Sequence, residues 1–108
     1  MNKLIAIGST LGIAAFALSL SMFLKPFDTT YKVAKGSNLD KAACTVCHSS
    51  PKGGKLNGYG TDLKAVLKAE NTKKITPAIL AKVESKDSDG DGVKNIDEIK
   101  KDQNPGAK

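Results

Sequence analysis

A chain of 108 residues has room for one small domain; with 17 lysines, no arginine and a formal net charge of +6, it lacks the planar guanidinium forks that read bases and clamp phosphates. Nucleic acid is therefore excluded as an expected partner, and a diffuse lysine surface suits weak, salt-sensitive docking on acidic proteins or anionic membrane surfaces. There is no Trp and there are few other aromatics, so side-chain burial alone predicts a marginal core.

Met1, Asn2 and Lys3 precede an uncharged run from Leu4 to Leu24. A short positive start followed by an apolar stretch reads as an export signal, and it places the remainder outside the cytoplasm. As a helix rising about 1.5 Å per residue, the run would reach across a hydrocarbon core of roughly 30 Å. It is therefore long enough to stay as a membrane anchor. Ala15-Phe16-Ala17 resembles a small-x-small cleavage site, and Ser9, Thr10, Ser19 and Ser21 dilute the run. Retention is the preferred reading, because cleavage after Ala17 would leave Leu20, Met22, Phe23 and Leu24 exposed. Residues 1–24 are thus a signal peptide or anchor. Residues 25–36 show no helical period and read as a linker or extended arm, with Tyr31 and Val33 able to lie on a domain formed by residues 37–108.

Ser37 or Asn38 is predicted to cap a short helix that runs through Leu39 to Ala43 into Cys44-Thr45-Val46-Cys47-His48. Two thiols separated by two residues, followed at once by an imidazole, have the spacing for covalent bonds to both vinyl groups of a haem. The same spacing lets the next side chain reach the iron. Cys44 and Cys47 are the only cysteines and His48 is the only histidine. Gly53, Gly54, Gly58 and Gly60 follow, and next to this motif they predict a loop wrapped round the haem edge. Their spacing is not that of a phosphate-binding loop.

Thr61 and Asp62 are expected to open a helix with Leu63, Val66 and Leu67 on one face, ending in the stretch from Glu70 to Lys74. Thr76 as cap and Pro77 at the first helical position predict another, with Ile79, Leu80 and Val83 inward. Residues 87–98 then place oxygen side chains at loop positions 1, 3, 5, 9 and 12, through Asp87, Asp89, Asp91, Asn95 and Glu98. Gly92 stands at position 6 and the Val93 carbonyl is available at position 7, which is the ligand order of an EF-hand calcium loop. Six of the 11 acidic residues fall between Glu84 and Glu98, a concentration that a solvated turn would not need. Position 8 is Lys94 instead of the aliphatic that pairs two hands, no second copy exists, and the exit helix from Ile96 to Lys101 is short. The calcium site is therefore expected to be structural and not a sensor.

Two resemblances follow from these residues. Cys44-Thr45-Val46-Cys47-His48 resembles the attachment signature of c-type cytochromes, and residues 87–98 resemble the single EF-hand-like loops of dockerins and thrombospondin-type repeats. Together they imply a mainly α fold, a small haem-centred helical domain after an N-terminal signal or anchor helix. They imply one haem c, with Cys44 and Cys47 as thioethers and His48 as the proximal iron ligand. They also imply one calcium ion, held by Asp87, Asp89, Asp91, Val93, Asn95 and Glu98. The expected function is transfer of single electrons on the periplasmic or extracellular side of the membrane, between redox partners with acidic docking surfaces, with a homo-oligomer as a further possibility.

The chain departs from small cytochromes c at the iron's other face, since neither Met nor His follows His48. A lysine amine, Asn57, Tyr59, another subunit or water remain as candidates, and Met22 only if the arm folds back. An open sixth position gives the alternative function, binding or sensing of a small haem ligand. No second His and no Arg can serve as a distal acid or base, so enzymatic catalysis is not expected. A dithiol redox site lacks a strand-helix-strand context, and a closed zinc site lacks a fourth ligand.

Overall fold

The computed structural model describes residues 23–107, so all but the last two residues of the predicted export or anchor segment lie outside the described residues. Within them the chain is mainly helical, and its sole β feature is an antiparallel bridge between His48 and Leu56. No helix among the described residues is long and apolar enough to cross a membrane.

Helix α1 covers residues 23–30, so residues 25–30 are helical where the sequence predicts a linker or extended arm. The reason is tertiary: Phe27 is buried, and its ring meets Tyr31 at 5.1 Å and Tyr59 at 5.9 Å between centroids, both edge to face. An aromatic pair one helical turn apart anchors the segment although its polar residues follow no period. Lys32 takes a left-handed conformation (φ 51°) to end the helix. The Val33 amide then donates to the Asp28 carbonyl at 2.9 Å, and Val33 folds onto the core.

Helix α2 (Asn38–Ala42) is capped by Ser37, whose hydroxyl accepts from the Asp40 amide, as the sequence predicts. It does not continue into the cysteine motif. Ala43 (φ 48°, ψ −118°) breaks it, and a single 3-10 turn, Ala43–Val46, carries Cys44. A side-chain-bearing residue at positive φ beside a site is stored strain that the surrounding packing has to hold.

Helix α3 (Gly58–Ala69) starts before the expected Thr61, because Asn57 is the cap and its side chain accepts from the Gly60 amide at 3.0 Å. Gly58 and Gly60 are therefore helical and not part of the expected loop, although Gly60 still borders the cleft beside Cys47. Both are glycines because a Cβ at Gly58 would collide with the Ser88 carbonyl, and one at Gly60 with the Cys47 carbonyl. Helix α4 (Pro77–Ala81) begins with Thr76 as cap and Pro77 in its first turn, as predicted. Helix α5 (Asn95–Lys100) follows the acidic loop. The core gathers Phe27, Leu39, Val46, Tyr59, Leu63, Ile79, Leu80, Val83 and Ile99. One residue of it, Val46, lies between the two cysteines, so the motif is fastened directly to the interior.

Candidate functional site

Cys44, Cys47 and His48 share one cleft of about 390 Å³, walled mainly by apolar side chains including Phe27, Leu56, Leu63, Leu67 and Leu80. The 3-10 turn carries Cys44 and is closed by Cys47, and the amides of Cys47 and His48 donate to the Cys44 carbonyl at 3.2 and 2.9 Å. From His48 the chain makes a short excursion closed by the bridge to Leu56 and by the Ser49 amide on the Lys55 carbonyl at 2.9 Å. Gly53 (φ 87°) and Gly54 (φ 79°) make the turn at its far end, a conformation that residues with a side chain rarely adopt. The turn aims the Gly54 carbonyl at His48 Nδ1, 3.0 Å away.

That contact fixes the imidazole. A carbonyl only accepts, so Nδ1 carries the proton and Nε2 keeps its lone pair for a metal. The motif's backbone is held as firmly. Asn57 Nδ2 donates to the carbonyls of Thr45 at 2.8 Å, Val46 at 3.1 Å and His48 at 3.3 Å. The Asn57 amide adds a bond to the Cys47 carbonyl at 2.8 Å, and Asn104 Nδ2 adds one to Thr45 at 2.9 Å. Neither Asn57 nor Asn104 follows from the motif itself. The only sequence signal was an Asn three residues before Gly60, a helix-cap pattern.

Burial, reinforced by neighbouring Cys44, pushes the Cys47 thiol up to about 11. A dithiol redox pair works through easily formed thiolates, and at Cys47 burial disfavours one. The walls, the paired sulfurs and the free Nε2 fit a haem. Of the side chains the sequence left open for the iron's second face, Asn57 is spent on backbone carbonyls. Tyr59 is fully buried in the core, outside the cleft walls, with its phenol pushed well above its ordinary value by burial. Lys64, one turn after Gly60 on α3, does line the cleft.

The second site is the acidic loop. Asp87, Asp89, Asp91 and Glu98 each offer an oxygen, and these oxygens lie within 4.8 Å of one another. The loop is shaped by its own amides: Asp87 accepts from Asp91 at 3.1 Å and Gly92 at 2.7 Å, and Asp91 accepts from the Val93 amide at 2.9 Å. Gly90 (φ 72°) and Gly92 (φ 90°) supply the bends. The Gly92 amide holds the Asp87 carboxyl below its usual range, whereas burial raises Asp89. Glu98 is only 2 % exposed and is pushed up to about 8, first by burial and then by Asp89 and Asp91. Its Oε1, like Asp89 Oδ2, is buried without a hydrogen-bond partner. An all-oxygen donor set with orphaned buried carboxylate oxygens fits a hard divalent cation such as calcium.

Asn95 does not join this cluster. It is completely buried, its Nδ2 donating to the Val83 carbonyl and to Ser88 Oγ, both at 2.8 Å, and its Oδ1 accepting from the Ser88 amide at 3.1 Å. Its amide is consumed in tying α5 to the end of α4, so the expected ligand at position 9 is a structural residue.

No protein-family profile matches the chain, and neither a curated protein nor a solved structure matches it.

Proposed function

We propose that this chain is an exported c-type cytochrome that carries single electrons on one covalently bound haem, with a structural calcium ion in its acidic loop. The observation that carries the reading is the His48 Nδ1 bond to the Gly54 carbonyl, which leaves Nε2 free in the same cleft as Cys44 and Cys47. The haem would supply one-electron cycling between ferric and ferrous iron. Cys44 and Cys47 would hold it by thioethers, His48 would donate Nε2 to the iron, and the leucine walls would keep water away. The bond to Gly54 keeps the imidazole in one orientation and strengthens its donor character. Asp87, Asp89, Asp91 and Glu98 would hold the calcium.

Docking falls to the lysines. Among the described residues one ion pair is formed, Lys82 with Glu70 at 3.8 Å, so most of the positive charge is available to an acidic partner. Exposed charge of this kind accelerates encounter more than it strengthens binding.

The test is a visible spectrum of protein matured in an exporting, haem-attaching host, oxidised, then reduced, then exposed to carbon monoxide. Sharp reduced bands that survive carbon monoxide support the electron carrier. A clear carbon monoxide shift transfers the reading to small-ligand binding at an open iron position, and a colourless protein removes the haem reading.

A further inference from the structure

The acidic loop touches the cysteine motif's supports at both of its ends. At its start, Ser88 stands between Asp87 and Asp89 with its amide and hydroxyl both engaged. Its amide donates to Asn95 Oδ1 at 3.1 Å, and its hydroxyl donates to Asp62 Oδ2 at 2.5 Å while accepting from Asn95 Nδ2 at 2.8 Å. Its carbonyl lies so close to Gly58 that no side chain fits between them. Gly58 and Asp62 belong to the start of α3, whose cap Asn57 holds the carbonyls of Thr45, Val46 and His48.

At its finish, Glu98 leads along α5 to Asp102, which turns the chain at φ 57°. The Gln103 amide closes that turn on the Glu98 carbonyl at 2.8 Å. The Asp102 carboxylate reaches out of the turn and accepts from the amides of Asn38 at 2.8 Å and Leu39 at 2.9 Å. These amides begin α2, which ends at the residue before the 3-10 turn that carries Cys44. Just beyond, Asn104 bonds the Thr45 carbonyl, and Gly106 lies against the Asn57 side chain with no room for a Cβ.

We propose that a divalent, oxygen-seeking cation of the calcium class, held by Asp87, Asp89, Asp91 and Glu98, braces the Cys44–His48 segment from both sides, so that cation binding and occupation of the cleft reinforce each other. This rests on the cation site of the reading above. The buried, unpartnered Oε1 of Glu98 is what points to an ion there and not to a merely acidic turn. Without a cation, four carboxyl groups with oxygens within 4.8 Å are relieved either by taking up a proton or by opening the loop, and opening takes over as the pH rises and the protons leave. Opening displaces Ser88 at one end and the α5 turn at the other, the two groups that hold α3 and α2 against the motif. A cation removes the repulsion and favours the closed arrangement, which is the differential interaction that any population shift needs. Reciprocity then requires that whatever orders the motif also tightens the cation.

The experiment uses the full chain as isolated from that exporting host, with whatever the cleft then holds, adds calcium chloride or a chelator, and reads two things: calcium binding by calorimetry, and amide hydrogen exchange at His48 and Asn57. Calcium is expected to bind and to slow exchange at both amides by roughly 5- to 150-fold, the usual range of coupling between sites. Ser88→Ala keeps all four carboxylates but loses the hydroxyl bridge to Asp62. It is expected to bind calcium and to show a smaller slowing at Asn57. Binding with slowing confined to residues 87–107 overturns the linkage and leaves the cation site standing. Absence of calcium binding overturns both, and neither result depends on the spectrum that tests the haem.

Discussion

His48 and Gly54 are bound to each other, Nδ1 donating to the carbonyl oxygen at 3.0 Å, and this pair makes the glycine turn part of the site and not a loop beside it. At φ 79° Gly54 occupies a conformation that costs other residues roughly 1–2 kcal/mol. Gly54→Val is therefore expected to lower stability by about that amount and to loosen the imidazole. Thermal unfolding and the line shape of the oxidised haem spectrum check both. Unchanged values in the two measurements would show that the carbonyl does not orient His48.

Asn57 carries several duties at once, capping α3 and holding three carbonyls of the motif. Asn57→Ala removes the cap and leaves the Val46 and His48 carbonyls in search of donors, while Asn104 still serves Thr45, an expected loss of about 2–4 kcal/mol. Denaturant unfolding measures it, and the yield of attached haem should fall in parallel. A loss below about 0.5 kcal/mol would place these bonds among the dispensable ones.

Glu98 sets a pH dependence with a definite sign. Its carboxyl is raised from 4.5 to about 8 in the folded, cation-free protein, so the folded state holds the proton more tightly than the unfolded state does. The stability tied to that proton is complete below pH 4.5 and is lost as pH rises through about 8. Chelated protein should accordingly become less stable across that window, apart from the smaller effects of Asp87 and Asp89. Calcium-loaded protein should not, and calcium binding near neutral pH should release protons. Urea unfolding at several pH values, with and without calcium, distinguishes the cases; parallel curves would show that Glu98 is not the buried acid.

Lys64 is the lysine that lines the cleft, and it is expected to supply the amine on the iron's second face. Lys64→Ala should make the reduced protein bind carbon monoxide readily, whereas Lys68→Ala, on the same helix outside the cleft walls, should not. Identical carbon monoxide behaviour in the two variants would take Lys64 off the list of donors.

Much of this was legible because the signals are local. Ser37 before α2, Thr76-Pro77 before α4, and the spacing of Leu63, Val66 and Leu67 each declare their element within a few residues. The cysteine motif and the alternating carboxylates of residues 87–91 likewise carry their geometry in their spacing. What the sequence hid depends on distant partners. Residues 23–30 are helical because Phe27 finds Tyr59, and Gly58 is small because Ser88 arrives from 30 positions later. Asn95 occupies a ligand position in the loop pattern but faces Val83 and Ser88, and no local rule gives an amide that preference. Asp102 is a further case: its partners at Asn38 and Leu39 lie more than 60 residues away.

Burial of the Cys47 sulfur also governs how the unmodified chain ages. Thiol–disulfide exchange needs a thiolate to attack, and a thiol raised to about 11 offers few of them at neutral pH. Chain kept without haem in air-saturated buffer should therefore close the Cys44–Cys47 disulfide slowly, and the pair stays reduced while it waits for its vinyl partners. The same burial that makes the site a poor dithiol catalyst thus gives it a long shelf life as an acceptor.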